Sequence, residues 1–213
     1  MKIWIIISGE SDFAWQSRYT AAGFAQACRD AADSGVRPIQ ARPRQQGGRL
    51  VYVSPRRDAL ETARHFYPEA ELLTEPLLAE IPEAPWKDTD AALPLRLWQR
   101  MAALQRRRGD PRQPESRKAA IARAEALLDR LEAEEKECVL ISHPRFVTEL
   151  LDRLRIHGWC INRSGMLQVR PLELLVASRR DEHCGVCNHN CFLSNPGCDI
   201  GRDKAALLAR KGK

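Results

Sequence analysis

Residues 1–11 read MKIWIIISGES. The apolar run Ile3–Ile7 stops abruptly at Ser8-Gly9. A run this short, rich in β-branched residues and closed by a turn signal, predicts a buried strand feeding a loop. The pattern recurs twice. Leu50–Val53 is stopped by Ser54-Pro55, and residues 138–142 (CVLIS) are stopped by His143-Pro144. Helical stretches separate the three runs. The segment TAAGFAQACRDAADSG has Thr20 as its N-cap and Gly35 as its stop. Residues 57–66 read as a helix ending before Tyr67-Pro68. Leu95, Trp98, Met101, Ala102 and Gln105 mark a helix over 94–108. Ile121, Ala124, Leu127, Leu128 and Leu131 form one stripe of a helix over about 115–135. A further helix is predicted over 145–156, and one or two final strands over 166–177. Residues 36–48 read as a loop, and the prolines of 76–94 predict an irregular, ordered excursion.

Strands alternating with helices predict an α/β fold with a mainly parallel sheet covered on both faces. Ligands collect at the carboxyl ends of the strands in such sheets. That rule singles out Ser8–Ser11, Ser54–Asp58 and Ser142–Arg145.

The composition is that of an ordinary globular protein: 44% hydrophobic and 29% charged residues in a chain of 213 exclude a mainly disordered chain, a collagen and a coiled-coil rod. No apolar run approaches the roughly 18 residues of a membrane span. The N-terminal run is too short for a signal-peptide core, so no membrane partner and a cytoplasmic location are expected. The net charge of +6 comes from arginines spread among acids. The dense run Arg106-Arg107-Arg108 reads as solvated surface, with nucleic acid the weaker reading.

The three loops resemble the motifs of the histidine phosphatase (phosphoglycerate mutase-like) superfamily. Its members open with a short strand running into Arg-His-Gly-Glu, which MKIWIIISGES resembles. TAAGFAQA, at 20–27, is similar to its Leu-Thr-x-x-Gly-x-x-Gln-Ala segment, and YVSPRRDALETA, at 52–63, to its Ser-Pro-Leu-x-Arg-Ala-x-x-Thr-Ala helix start. ESRKAAIAR, at 115–123, resembles its Glu-Ser helix, and VLISHP, at 139–144, its second-histidine loop. The matches run in order from residue 1 to about 157. The resemblance implies the family's three-layer fold over residues 1–178, and the clustered cysteines and basic charge after it mark a distinct Cys-rich, basic tail over 179–213.

In that family the first-motif histidine takes the phosphoryl group. The neighbouring arginine, a second arginine and the second histidine clamp its oxygens, and a carboxylate serves as general acid. The resemblance puts Ser8 at the nucleophile position, Ile7 at the first arginine and Asp58 at the second. His143 alone stands where the family has it, and Glu80, within LLAEIPE, matches the general-acid segment. Arg57 is the neighbouring cation considered as a replacement clamp, although one helix position turns a side chain by about 100°. A serine forms no phosphohistidine, and losing a nucleophile costs about 10⁴–10⁶ in rate. A misplaced unit charge at about 4 Å changes the interaction by roughly 4 kcal/mol at an effective dielectric near 20. The expectation is therefore a pocket without the family's chemistry. His143 then reads as a remnant hydrogen-bonded to loop backbone; the alternative is a catalytic His143, with Ser8 as a substitute nucleophile.

Four of the seven cysteines, Cys184, Cys187, Cys191 and Cys198, crowd the tail at C-x2-C-x3-C-x6-C spacing. A CxxC turn lets two thiolates reach one metal, Gly185 eases the bend, and Asn195-Pro196-Gly197 turns Cys198 back. Four thiolates suit tetrahedral zinc or, alternatively, an iron–sulfur cluster. His183 or His189 can replace one of them. Cys28, Cys138 and Cys160 lie in apolar contexts and read as core residues. The function expected is binding or regulation, with a protein partner. The alternatives are a phosphatase-superfamily enzyme of altered chemistry built on His143, and a metal module that binds nucleic acid.

Overall fold

The computed structural model describes residues 1–44, 47–162 and 169–179. In chain order the elements are β1 (Lys2–Ile7), β2 (Arg18–Tyr19), α1 (Ala21–Asp33), β3 (Leu50–Val53), α2 (Arg57–Phe66) and β4 (Leu72–Thr74). A 3-10 turn at Pro76–Leu78 follows, then β5 (Leu93–Pro94), α3 (Leu95–Arg108), α4 (Arg117–Glu134), β6 (Cys138–Ser142), α5 (Pro144–Ile156), β7 (Cys160–Ile161) and β8 (Leu174–Ser178).

The main sheet has the order β4-β3-β6-β1-β8-β7. The pairs β4–β3, β3–β6 and β6–β1 are parallel; β8 runs antiparallel to β1, and β7 to β8. The expected α/β fold with a mostly parallel sheet is what forms. Alternation along β1 divides the core. Ile3, Ile5 and Ile7 pack with Leu127, Leu128 and Leu131 of α4 and Leu150 and Leu154 of α5. Ile6 joins Val51, Val53, Val139 and Ile141 against Ala59, Ala63 and Phe66 of α2 on the opposite face. Full burial of one such Leu or Ile is worth about 1.5–3 kcal/mol, so the period-two pattern locks the register.

Helix boundaries follow local chemistry. The Thr20 hydroxyl accepts from the Gly23 N–H at 3.1 Å and the Ser116 hydroxyl from the Ala119 N–H at 3.1 Å, capping α1 and α4. Gly109, at φ 73°, ends α3 in the left-handed region that an L side chain adopts at a cost. A third cluster ties α1 to α3 beside the sheet. Phe24 stacks on Trp98 at 5.3 Å, and the Trp98 indole N–H donates to the Tyr19 carbonyl at 2.9 Å.

The structure adds strands that short-range patterning misses. Residues 166–177 were expected to hold one or two final strands. One described strand, β8, lies at their end, while β7 sits earlier, after a turn in which Gly158 has φ 81°. The pair β2–β5 spans two residues on each side, too few for a period to register. The tail cysteines Cys184, Cys187, Cys191 and Cys198, and with them the expected metal module, lie outside the described residues.

Candidate functional site

Register builds the site. Ile7 lies opposite Ser142, and Val53 opposite Ile141, so β1, β3 and β6 end side by side. The Ser8 N–H donates to the Ser142 carbonyl at 2.7 Å, and the Ser54 N–H to the Ile141 carbonyl at 2.9 Å, carrying the ladder one residue into the loops. Gly9 then passes so close to the loop at Val36 that a Cβ would lie 2.3 Å from the Val36 Cγ2. Its N–H donates to Thr62 Oγ1 at 3.0 Å, and Thr62 donates in turn to the Asp58 carbonyl at 2.7 Å. The first and second loops are thereby clamped to each other.

Above these strand ends opens a cavity of about 730 Å³, lined by Ser8, Arg56, Asp58, Glu80, His143 and Arg145 among others. Its floor is the His143 ring. Nδ1 lies 3.0 Å from Ser8 Oγ, and Nε2 lies 2.8 Å from Ser54 Oγ. The Asp58 carboxylate stands 3.6 Å from Nδ1. Burial drives the imidazole down to about 3, with Arg56 and Arg145 adding to the fall. The ring is therefore neutral near pH 7 and has one donor and one acceptor nitrogen. Each tautomer is served: Ser8 donates when Ser54 accepts, and the reverse. The ring's partners are thus two side-chain hydroxyls, which corrects the expected bond to loop backbone.

Asp58 is 4% exposed. Burial raises its pKa, opposed by Arg56 and by the Ala59 N–H, which donates to Oδ1 at 2.9 Å. Arg56 is the cation that sequence reasoning missed. As the residue before α2 it points inward: its Nη2 donates to the Ala31 carbonyl at 2.8 Å and lies 3.4 Å from Asp58 Oδ2. It closes the last turn of α1, where a cation complements the helix dipole. Arg57, one position on, stands outside the cavity and pairs with Glu61 at 2.7 Å across a helix turn. The hydrogen bond to that carboxylate raises its pKa. Only the direction of a helix's first turn separates the two arginines; composition treats them alike.

Glu80 faces the cavity and acts as a borrowed N-cap for α5. Its Oε1 accepts from the Phe146 N–H at 3.1 Å and its Oε2 from the Arg145 N–H at 3.4 Å. His143, at the N-cap position, makes no side-chain cap of its own. Ile7 is fully buried in the core with α4 and α5 and is absent from the cavity wall. Of the scattered cysteines, Cys138 and Cys160 are buried, but Cys28 is half-buried and lines the cavity, unlike the core residue expected. Burial raises its thiol to about 11, so it stays protonated at neutral pH. The structure thus brings Ser8, Glu80 and His143 together and leaves Arg57 apart. Among the described residues no His, Cys, Asp and Glu side chains group to hold a metal ion. Among the described residues no helix is long and apolar enough to cross a membrane.

Comparison with known proteins agrees with this geometry. The sequence model of the histidine phosphatase superfamily, branch 1, matches residues 22–191. The chain belongs to that superfamily. Solved structures of histidine phosphatase type share the fold at low identity. A phosphoserine phosphatase variant from Entamoeba histolytica, bound to phosphoserine, is 18% identical, with a TM-score of 0.54 over 82% of this chain and 89% of that one. A mycobacterial glucosyl-3-phosphoglycerate phosphatase is 16% identical, with a TM-score of 0.55 over 82% and 88% of the two chains. No curated protein sequence matches this one significantly. At such identities the likeness speaks for the histidine phosphatase fold and leaves the chemistry to the residues in the cavity.

Proposed function

We propose that this superfamily member uses its central cavity to bind a small ligand and has lost phosphohistidine chemistry, serving a binding or regulatory role. One observation carries the reading: a buried carboxylate, Asp58, and a neutral imidazole, His143, stand together at the floor of the cavity beside Ser8. The family's chemistry needs a nucleophilic imidazole and a cationic clamp at that place. A phosphoryl dianion would meet Ser8 and the Asp58 carboxylate there, and two arginines in the wall, Arg56 and Arg145, are already paired with Asp58 and Glu83. The cavity's size lies within the range of small-molecule sites, about 300–1,000 Å³. The proposal includes metal binding by Cys184, Cys187, Cys191 and Cys198, supported by their spacing alone.

The Ser8–His143 contact favours a second reading, a serine nucleophile with His143 as base. Two features weigh against it. An imidazole held near 3 is a feeble base at neutral pH. The backbone N–H groups nearby are already committed: Gly9 to Thr62, and Arg145 and Phe146 to Glu80. None of these three is free to hold a developing oxyanion.

An aryl-phosphate and an aryl-ester assay separate the readings. The binding role predicts no turnover of either compound above the buffer rate. Turnover abolished by Ser8→Ala or His143→Ala would establish the enzyme reading instead.

A further inference from the structure

A second groove, of about 360 Å³, lies between α3 and the start of α5. Arg96, Arg100 and Arg106 line it from α3, Arg145 lines it from α5, and Glu83 is the one carboxylate in its wall. Glu83 is already engaged, 2.7 Å from Arg145 Nη2. Arg96 occupies the first turn of α3, where a cation opposes the helix dipole. Arg100 follows at i+4, a spacing at which like charges repel. Arg106 is half-buried, and its Nε is shut off from solvent with no hydrogen-bond partner among the described residues. Burial and the nearby Arg145 both pull the Arg106 pKa down. Of the run Arg106-Arg107-Arg108, this member turns inward while the other two stay exposed.

Four arginines thus line one groove whose one lining carboxylate, Glu83, is already paired with Arg145. Glu83, Glu149 and Glu80 offset part of the charge at Arg106, and of these three only Glu83 lines the groove. An oxyanion would balance the remaining positive charge, and its oxygens match the planar donor forks of arginine. We propose that this groove binds the phosphate or carboxylate group of a small anionic ligand, at a site separate from the Ser8–His143 cavity. Anion binding in this groove does not depend on whether that cavity is catalytic. The two sites share the Glu83–Arg145 pair as a common wall.

Isothermal titration of the full-length protein at low ionic strength, with inorganic diphosphate and citrate as probes, tests it. The expected result is saturable binding of at least one probe, weakening as salt rises. Binding of diphosphate alone assigns a phosphate group, and of citrate alone a carboxylate. The double variant Arg96→Gln/Arg100→Gln should weaken binding at least about tenfold, since it removes two charge-assisted contacts. Ser8→Ala should leave binding unchanged. Both arginines are exposed, so the double variant should keep the parent's melting temperature. No saturable binding of either probe overturns the proposal, as does equal binding by the double variant. Loss in Ser8→Ala would move the anion to the central cavity. Binding of single-stranded DNA without either small probe would replace the proposal with a nucleic-acid surface.

Discussion

The imidazole of His143 is held between two hydroxyls, Ser8 on Nδ1 at 3.0 Å and Ser54 on Nε2 at 2.8 Å. The Ser8 contact joins residues 135 positions apart, and it decides the protonation chemistry of the cavity. Both ring nitrogens are satisfied without charge, and burial penalises the cation.

His143 should therefore stay neutral well into acid. Its folded pKa, about 3, lies below the ordinary 6.5, so the unfolded chain binds its proton first. The resulting stability is complete above pH 6.5 and drains away as pH falls toward 3. Asp58 acts with the opposite sign: its raised pKa favours the folded state while it is protonated, and that contribution is lost as pH rises through the raised value. Nitrogen chemical shifts of the ring should show the neutral form at pH 5, and His143→Gln should flatten the acid limb of urea midpoints measured over pH 4–7.5. A cationic ring at pH 6 would contradict the geometry.

Glu80→Ala should destabilise the fold by about 1–2 kcal/mol, the usual value of a lost helix cap. Its carboxylate accepts from two N–H groups in the first turn of α5. Glu80→Gln keeps an acceptor oxygen and should lose less. Equal midpoints for Ala and wild type in denaturant titrations would remove the capping role.

Thr62→Val preserves shape but removes the acceptor for Gly9 N–H and the donor to the Asp58 carbonyl. A stranded buried donor costs about 1–3 kcal/mol. Faster amide exchange at Gly9, together with a lower melting temperature, is the expected signature. Unchanged exchange would show that the loops are clamped by something else.

Full-length protein prepared without oxygen should contain bound metal. Zinc gives a colourless sample; an iron–sulfur cluster gives charge-transfer bands in the visible. Replacing Cys184 and Cys187 together by Ser should release the metal. A metal-free preparation, or one whose metal survives that change, would remove the cysteine assignment.

Much of the fold was legible in the chain. IWIII, LVYV and CVLIS are each short, apolar and closed by a turn, and each became a parallel strand in the centre of the sheet. The helix over 57–66 was found with its boundaries intact, because Pro55 before it and Pro68 after it punctuate the backbone. The two-residue strands escaped, since a period needs several repeats to show. Ser8, Glu80 and His143, singled out by the strand-end loops and the family motif, line one cavity. Arg56 and the groove arginines were not singled out, because an arginine's sequence neighbours do not say where its long side chain ends.

The sequence by itself determined the alternation of strand and helix and the three strand-end loops that line the cavity. These are properties of residue type and order, set by backbone propensity and hydrophobic period. Only the tertiary structure decided that Arg56 faces the cavity while Arg57 faces water, that Glu80 caps α5, and that Arg106 is drawn in beside Arg145. Those choices depend on which surfaces pack together, and so on burial and distance between groups remote in the chain. Charge and protonation in this protein are set there.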